Sequence, residues 1–254
     1  MKRALSFLPN LITLLNLFLG CLAVVFALRG WTLFAGYCIM VAAVFDFCDG
    51  LAARLLNAYS DLGKQLDALA DLVSFGLAPT AMLYTTMNMA LAQQIAWDLD
   101  SLPWELFAFF PFVMVLFSAL RLAKFNVDTR QTDQFLGLPT PANALLIASF
   151  LMYARYHIAL DSYITPLSIS IAVILLSALL VLEIPMPALK FKGFAWQPNR
   201  QRYCFLFLCV MVFIAVLLSG QEWLLAITLI ILLYILYSIS FAIISKCCNT
   251  SKSQ

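Results

Sequence analysis

The chain has 254 residues, of which 64% are apolar and 11% are charged, and its mean hydropathy is +0.96. A soluble domain carries about 25% charged residues, so a soluble fold of this size could not bury so many apolar side chains. The net charge of +2 argues against nucleic-acid binding, the seven cysteines show no CxxC spacing, and a single histidine argues against a His-based zinc site or a Ser–His–Asp triad. We therefore predict an all-α, polytopic membrane protein.

A membrane-spanning helix needs about 20 mostly apolar residues. Eight stretches of the chain meet or approach this requirement, and they cover roughly residues 11–28, 31–56, 62–90, 104–124, 141–160, 163–184, 203–219 and 223–244. We interpret the first stretch as a retained span rather than a cleaved signal peptide, because no convincing small-residue cleavage site follows it. Pro79 is expected to kink the third span.

The distribution of basic residues predicts the orientation of these spans. If the N-terminus is cytosolic and eight spans alternate, all 15 Lys and Arg residues except Arg29 and Arg155 lie on the cytosolic side. This asymmetry is what the positive-inside rule describes. The segment 93–105, which carries acidic but no basic residues, then lies outside, and both termini are cytosolic.

Charged groups inside a membrane span are costly, so they mark candidate functional sites. Five of the 13 acidic residues fall within 26 positions, and these are Asp46, Asp49, Asp61, Asp67 and Asp71. Residues three or four positions apart share a helix face. Asp46 and Asp49 therefore share a face of one helix, and Asp67 and Asp71 share a face of the next.

A short turn between these two helices makes them antiparallel and sets their register. Asp46 then lies level with Asp71. By the same count Asp49 lies level with Asp67, so four carboxylates converge near the cytosolic side of the membrane layer. One or two acids would favour solvated helix ends paired with basic neighbours, but four level carboxylates argue against that interpretation. Asp61 has no partner at this spacing, and it is expected to cap or charge the start of its helix.

Four crowded carboxylates repel one another, and a hard cation relieves that repulsion. Ligation by oxygen alone favours Mg²⁺, Mn²⁺ or Ca²⁺ over zinc or copper. Two helices that give two carboxylates each could hold a pair of ions about 3.5–4 Å apart, and such a pair can clamp a phosphoryl group. Gly50, Ala53 and Gly63 lie on the same faces and leave room for a bulky ligand. Arg54 could contact a phosphate or balance the acidic charge.

The pattern D-x2-D-G-x2-A-R-x8-G-x3-D-x3-D runs from Asp46 to Asp71. It resembles the signature of the CDP-alcohol phosphatidyltransferases at every fixed position. The resemblance implies an integral-membrane transferase that uses CDP-diacylglycerol and two divalent ions, Mn²⁺ or Mg²⁺. The implied metal ligands are Asp46, Asp49, Asp67 and Asp71. The implied positions around the cytidine nucleotide are Gly50, Ala53 and Gly63. Asp71 is also the implied base for the hydroxyl of the acceptor.

The first span carries a stripe of polar and small residues at Asn10, Thr13 and Gly20. Such a stripe can serve helix packing in a membrane or contact with a ligand. The opening Pro9-Asn10, with Thr13 three residues later, also resembles the first helix of the same family, in which these polar groups face the nucleotide pocket. We therefore expect Asn10 and Thr13 to contact the nucleotide or its phosphates.

The fourth span ends with Arg121, Lys124 and Asn126. The two cations could anchor the helix at the cytosolic face or bind an anionic group of a second substrate. Thr140, followed by Pro141, is expected to cap the next helix, whose N-terminus favours anions. The runs R-L-A-K-F-N and F-x-G-L-P-T-P-A-N-A resemble the phosphatidylserine synthase branch of the family. This resemblance implies that serine is bound by Arg121, Lys124, Asn126 and Thr140.

The predicted activity is transfer of a phosphatidyl group from CDP-diacylglycerol to the hydroxyl of L-serine, with release of CMP. The alternatives are the same transfer to glycerol 3-phosphate, an inositol phosphate or choline, and, from a different class, a cation-coupled transporter. We expect residues 1–195 to form the transferase domain and residues 196–254 to add two helices and a tail. The resemblance also implies a homodimer, and we expect a bacterial inner-membrane protein whose site faces the cytosol.

Overall fold

The computed structural model describes residues 7–94, 106–127, 134–187 and 196–250. In these residues the helices are α1 Phe7–Leu28, α2 Thr32–Leu55, α3 Asp61–Asp71, α4 Ala78–Gln94, α5 Val113–Val127, α6 Thr140–Tyr156, α7 Pro166–Val181, α8 Trp196–Leu218 and α9 Trp223–Thr250. Short 3₁₀ turns at Phe110–Phe112 and Ile158–Tyr163 precede α5 and α7.

Small residues let α1 and α2 pack closely. The inner face of α1 carries Gly20, Ala23 and Ala27, and that of α2 carries Ala35 and Ala42, all of them buried. In a membrane, helices associate through close van der Waals packing, and small side chains allow their backbones to approach. Large apolar residues on the outer faces of both helices are exposed, as lipid-facing residues would be.

The third apolar segment is one continuous helical run, Asp61–Gln93, with π-helical turns at Leu72–Leu77 between α3 and α4. Pro79 does not end this run, although it cannot donate a backbone hydrogen bond. The Thr80 hydroxyl donates to the Gly76 carbonyl at 2.7 Å and satisfies one carbonyl in this irregular stretch. The irregularity therefore begins before Pro79, directly after α3, and π-helical turns are frequent at functional sites.

Contacts between helices place the α2–α3 hairpin at the centre of one end of the bundle. α1 packs against α2, α3, the π-helical segment and α4. α5 packs against the π-helical segment and α7, and α6 packs against α2 and α9. The acidic faces of α2 and α3 consequently lie between α1 on one side and α5 on the other.

The prediction of an all-α fold needs one correction. Gln134–Leu136 and Pro185–Pro187 pair as a two-stranded antiparallel sheet. Gly137 follows the first strand with a φ of 79°, and its backbone nitrogen donates to the Ile184 carbonyl at 3.0 Å. A Cβ at this position would lie 2.6 Å from the Leu180 carbonyl oxygen, so the turn requires glycine. Two strands of three residues are too short to give a recognisable alternating pattern in the sequence.

Five helical segments of the described chain are long and apolar enough to cross a membrane: Phe7–Leu28, Thr32–Leu55, Asp61–Gln93, Phe110–Val127 and Trp223–Ala242. They confirm a polytopic helical membrane protein. The other three predicted spans correspond to α6, α7 and the apolar part of α8, which are shorter. The count of eight spans and the cytosolic position of both termini stay predictions. Most of the acidic segment 93–105 lies outside the described residues.

Candidate active site

The α2–α3 hairpin brings the acidic residues together. α2 ends at Leu55, and Asn57 turns the chain with a φ of 47°. Ser60 then caps α3, because its side chain accepts a hydrogen bond of 3.0 Å from the Gly63 backbone. This short connection joins the end of α2 to the start of α3, and residues of both helices line the space between them.

Four carboxyl groups meet between the two helices. Asp46, Asp49 and Asp67 each present one carboxylate oxygen, and these three oxygens lie within 4.8 Å of one another. The Asp46 carboxyl group also interacts with those of Asp67 and Asp71. Asp46 is therefore the central member of the cluster, in contact with both acids of α3.

The cluster fits a divalent cation. Its donors are all carboxylate oxygens, which are the ligands that Mg²⁺, Mn²⁺ and Ca²⁺ prefer. Asp71 Oδ1 is buried and has no hydrogen-bond partner in the described part of the chain. Burying such an atom is costly unless a partner compensates for its lost hydration. A metal ion held by these side chains would supply that compensation.

α1 contributes a hydrogen bond to the cluster. Thr13 Oγ1 lies 2.6 Å from Asp49 Oδ2 and 3.1 Å from the Pro9 carbonyl oxygen, and the Thr13 and Asp49 side chains are both buried. A hydroxyl has one proton to donate, and the shorter contact to a charged acceptor favours Asp49. Thr13, predicted as a nucleotide contact, is thus also placed to orient a carboxylate of the cluster.

We expect Thr13→Val to weaken metal binding, because valine keeps the shape of threonine but cannot donate to Asp49. Removing a group that orients a metal ligand typically lowers metal affinity by about 10- to 100-fold. The Mn²⁺ dissociation constant, measured by electron paramagnetic resonance on the purified protein, should rise by that factor. Thr13→Ser is the matched control and should bind Mn²⁺ like the wild type. Equal affinities in the valine variant and the wild type would contradict this role.

A cavity of about 480 Å³ opens beside the cluster. Asn10 and Thr13 from α1, Gly50 and Ala53 from α2, and Gly63 from α3 are among its lining residues. A Cβ at Gly50 would meet no atom within 4 Å, so this glycine faces open space. A Cβ at Gly63 would lie 3.0 Å from Asn10 Oδ1. The cavity has the size of a typical small-molecule site, about 300–1,000 Å³, and the small residues keep it open.

Two charged residues lie near the rim of the cavity. Asp61 lines it from the first turn of α3, where a negative charge suits the helix N-terminus. The cap of α3 is Ser60, however, so Asp61 charges the helix start without capping it. Arg54 is exposed and is not among the residues that line the cavity, so its contact with a phosphate stays a prediction.

α5 supplies a buried cation next to the cluster. Arg121 is only 8% exposed, interacts electrostatically with Asp71, and donates from Nη1 to Thr140 Oγ1 at 3.2 Å. Its Nε has no hydrogen-bond partner in the described residues. Thr140 is the first residue of α6, whose N-cap is Pro139. The prediction that Thr140 caps this helix is therefore wrong by one residue. The Thr140 hydroxyl instead accepts a hydrogen bond from Arg121.

The other two predicted acceptor-binding residues lie at the exposed end of α5. The Lys124 side chain is exposed. The Asn126 carbonyl oxygen accepts a hydrogen bond of 2.9 Å from Lys64 Nζ, which joins the start of α3 to the end of α5. This contact of Lys64 could not be predicted from the sequence, because its partner is 62 positions away and no local pattern connects the two.

Comparison with known proteins identifies the family. The family model described as CDP-alcohol phosphatidyltransferase matches residues 6–184. The chain belongs to the CDP-alcohol phosphatidyltransferase family. The matched range includes all the candidate site residues, whereas α8 and α9 lie beyond it.

Curated relatives of this CDP-alcohol phosphatidyltransferase cover most of the chain. It is 30% identical over 234 residues to a CDP-diacylglycerol–serine O-phosphatidyltransferase of Helicobacter pylori, covering 91% of this chain and 89% of that protein. The Bacillus subtilis protein of the same name is 32% identical over 195 residues, covering 73% and 93% respectively. An archaetidylserine synthase of Methanothermobacter thermautotrophicus is 30% identical over 196 residues, covering 73% and 72%.

Proposed function

We propose that this protein transfers the phosphatidyl group of CDP-diacylglycerol to the hydroxyl of L-serine and releases CMP. The observation that carries the proposal is a cluster of four aspartates beside an open cavity lined by small residues, in a chain of this family. Bacterial relatives named for transfer to serine support serine as the acceptor. The same findings favour transfer over a cation-coupled transporter.

We propose that the cavity and the cluster bind different parts of the donor substrate. The cytidine nucleotide occupies the cavity, the acyl chains stay in the bilayer, and the diphosphate lies against the cluster. We propose two ions, Mn²⁺ or Mg²⁺, with the ligands Asp46, Asp49, Asp67 and Asp71. When bound, such ions supply positive charge that neutralises the diphosphate and holds it in line for attack.

In the transfer step, Asp71 takes the proton of the serine hydroxyl. The serine oxygen forms a bond to the phosphorus that bears diacylglycerol. The bond from this phosphorus to the bridging oxygen of CMP breaks, and CMP leaves with the electron pair. The signature contains no spare nucleophile, so we favour direct transfer, in which catalysis rests on positioning and electrostatic stabilisation.

Arg121 is the residue we assign to the carboxylate of serine. Its guanidinium is buried beside Asp71 and held by Thr140, and its Nε has no partner in the described chain. A planar guanidinium matches the geometry of a carboxylate. Bound there, serine would have its hydroxyl near the proposed base. Lys124 and Asn126 would act at the entrance to this position.

The acceptor is tested by supplying each alcohol in turn. Membranes containing the protein are incubated with CDP-diacylglycerol, Mn²⁺ and labelled serine, glycerol 3-phosphate, inositol phosphate or choline. The proposal predicts that serine alone enters the lipid fraction. Strong incorporation of glycerol 3-phosphate, with none of serine, would overturn the proposed acceptor and leave the transferase chemistry intact.

Gly50→Ala should separate nucleotide binding from folding. The added methyl group meets no protein atom, and alanine is the better helix former by about 1 kcal/mol, so the melting temperature should stay level or rise. The methyl group projects into the cavity, where overpacking costs about 1–3 kcal/mol, or roughly 5- to 150-fold in apparent affinity. We expect the KM for CDP-diacylglycerol to rise by this factor. An unchanged KM would show that the nucleotide lies elsewhere.

We also propose the membrane location, topology and oligomeric state of the protein. The protein would lie in a bacterial inner membrane as a homodimer with eight spans per chain, both termini cytosolic and the site facing the cytosol. Residues 1–195 would form the transferase domain. The match to the Bacillus subtilis relative covers 93% of that protein but 73% of this chain, which supports residues 196–254 as an addition to that domain.

A further inference from the structure

Asn16 on α1 is a fully buried polar side chain that has no hydrogen-bond partner among the described residues. Its side chain is 0% exposed, and neither its Oδ1 nor its Nδ2 has a hydrogen-bond partner in the described residues. Burying an unpaired amide costs about 1–3 kcal/mol by measurements on protein variants. An apolar residue of similar size would avoid this cost, so the amide requires an explanation other than stability of the protein alone.

Contacts of the neighbouring residues place Asn16 beside the carboxylate cluster. α1 and α2 are consecutive antiparallel helices, and the hydrogen bond from Thr13 to Asp49 sets their register. Three residues further along α1, and three back along α2, this register puts Asn16 level with Asp46. From the other side, the Ser74 hydroxyl of the π-helical segment donates to the Asn16 carbonyl oxygen at 3.0 Å. Asn16 therefore lies between the helix of Asp46 and the segment that follows Asp71.

Asn16 lies further along α1 than the residues that line the cavity, and this position can be compared with that of the lipid-bearing phosphate of the donor substrate. Asn10 and Thr13 line the cavity, whereas Asn16 does not, and it lies about 4.5 Å beyond Thr13 along the helix axis. In CDP-diacylglycerol the lipid-bearing phosphorus is separated from the cytidine by the phosphate of CMP. If the nucleotide occupies the cavity as proposed, this second phosphorus would lie on the inner side of the cavity, towards Asp46 and Asn16.

We propose that Asn16 Nδ2 donates a hydrogen bond to a non-bridging oxygen of the phosphoryl group that is transferred. This inference rests on the proposed function. The other side chains of the cluster at this depth are carboxylates, which cannot donate to a phosphoryl oxygen when ionised. Arg121, which donates to Thr140 and lies beside Asp71, is assigned to the carboxylate of serine. A neutral donor held in a buried position stabilises charge that develops on the phosphoryl oxygens as the transfer proceeds.

Two variants of Asn16 separate this role from its alternatives. Asn16→Leu removes both polar atoms and keeps the branching and the number of non-hydrogen atoms of the side chain, and Asn16→Asp keeps the oxygen but removes the donor. Ser177→Ala on α7 is the control, because Ser177 is another buried polar side chain without a partner in the described chain and α7 packs on α5, away from α1. For each purified protein we would measure kcat with CDP-diacylglycerol and serine, the melting temperature without ligands, and the Mn²⁺ affinity.

The proposal predicts a specific combination of results. Both Asn16 variants lose about 10²- to 10³-fold in kcat, the loss seen when one such donor is removed. Asn16→Leu melts at a higher temperature than the wild type and keeps its Mn²⁺ affinity, and Ser177→Ala keeps its kcat. An active Asn16→Asp variant with tighter Mn²⁺ binding would overturn the proposal in favour of a metal ligand. A lower melting temperature and unchanged kcat in Asn16→Leu would overturn it in favour of packing. A wild-type protein that makes no phosphatidylserine would instead refute the proposed function.

Discussion

Asp71→Asn is expected to lower the rate of phosphatidyl transfer by about 10²- to 10⁴-fold, the usual contribution of a positioned general base. Asparagine keeps the size of the side chain and a neutral oxygen, but it cannot accept the proton of the serine hydroxyl. The fold should survive, because Asp71 Oδ1 makes no hydrogen bond to the described chain, and the lost attraction to Arg121 is offset by relief of the repulsion from Asp46 and Asp67. The measurement is CMP release by the purified protein in detergent.

The matched control is Glu222→Gln, which removes one carboxylate charge from an exposed position outside the site. This variant should release CMP at the wild-type rate. Undiminished CMP release by Asp71→Asn would contradict the assignment of the base. A loss of CMP release together with a loss of folded protein would be recognised from the melting temperature, which is measured in parallel.

Asp46→Asn is expected to affect metal binding more than any other single substitution. Asp46 shares the oxygen triad with Asp49 and Asp67, and it also contacts Asp71. Its loss should raise the Mn²⁺ concentration required for half-maximal activity by more than the ~100-fold associated with groups that only orient a ligand. A Mn²⁺ titration of CMP release measures this shift.

Asp46→Asn should lower activity but raise the stability of the metal-free protein. Without metal, four neighbouring carboxylates repel one another, and removing the central charge relieves that repulsion. We expect a higher melting temperature than the wild type in EDTA, and a smaller increase on addition of Mn²⁺, because ligand binding stabilises the folded state in proportion to affinity. A normal Mn²⁺ requirement in this variant would show that the cluster is not the metal site.

The sequence predicted the position of the acidic cluster well because its geometry is local. Two helices joined by a short turn have a register that follows from counting residues, and helical periodicity decides which side chains share a face. The meeting of Asp46 with Asp67 and Asp71 depends on these two rules alone. The same reasoning places Gly50 and Gly63 beside the carboxylates, where the structure has the cavity.

Features that depend on packing between distant segments could not be predicted in this way. The hydrogen bonds from Thr13 to Asp49 and from Arg121 to Thr140 join different helices, and no spacing rule connects their residues. Arg54 shares a helix with Asp46 and Asp49, but its long side chain lies exposed outside the cavity. Periodicity fixes where a Cα lies on a helix, whereas the rotamer of a flexible side chain depends on its surroundings.

The burial of Asn16 illustrates the same limit. In the sequence it is one more polar residue on an apolar helix, and helix packing explains such residues well. Its missing partners become evident only when every neighbouring side chain has been placed. The polar atoms of Asn16 and Arg121 that have no partner in the described residues therefore add to the site what the motif alone does not contain.

The central claim is that the aspartate cluster transfers a phosphatidyl group to serine. The most direct measurement supplies the purified protein with CDP-diacylglycerol, Mn²⁺ and labelled serine, and quantifies CMP and phosphatidylserine together. We expect equal amounts of both products in the wild type, neither product in EDTA, and a loss of both in Asp71→Asn. CMP release without phosphatidylserine, or equal product formation by Asp71→Asn, would contradict it.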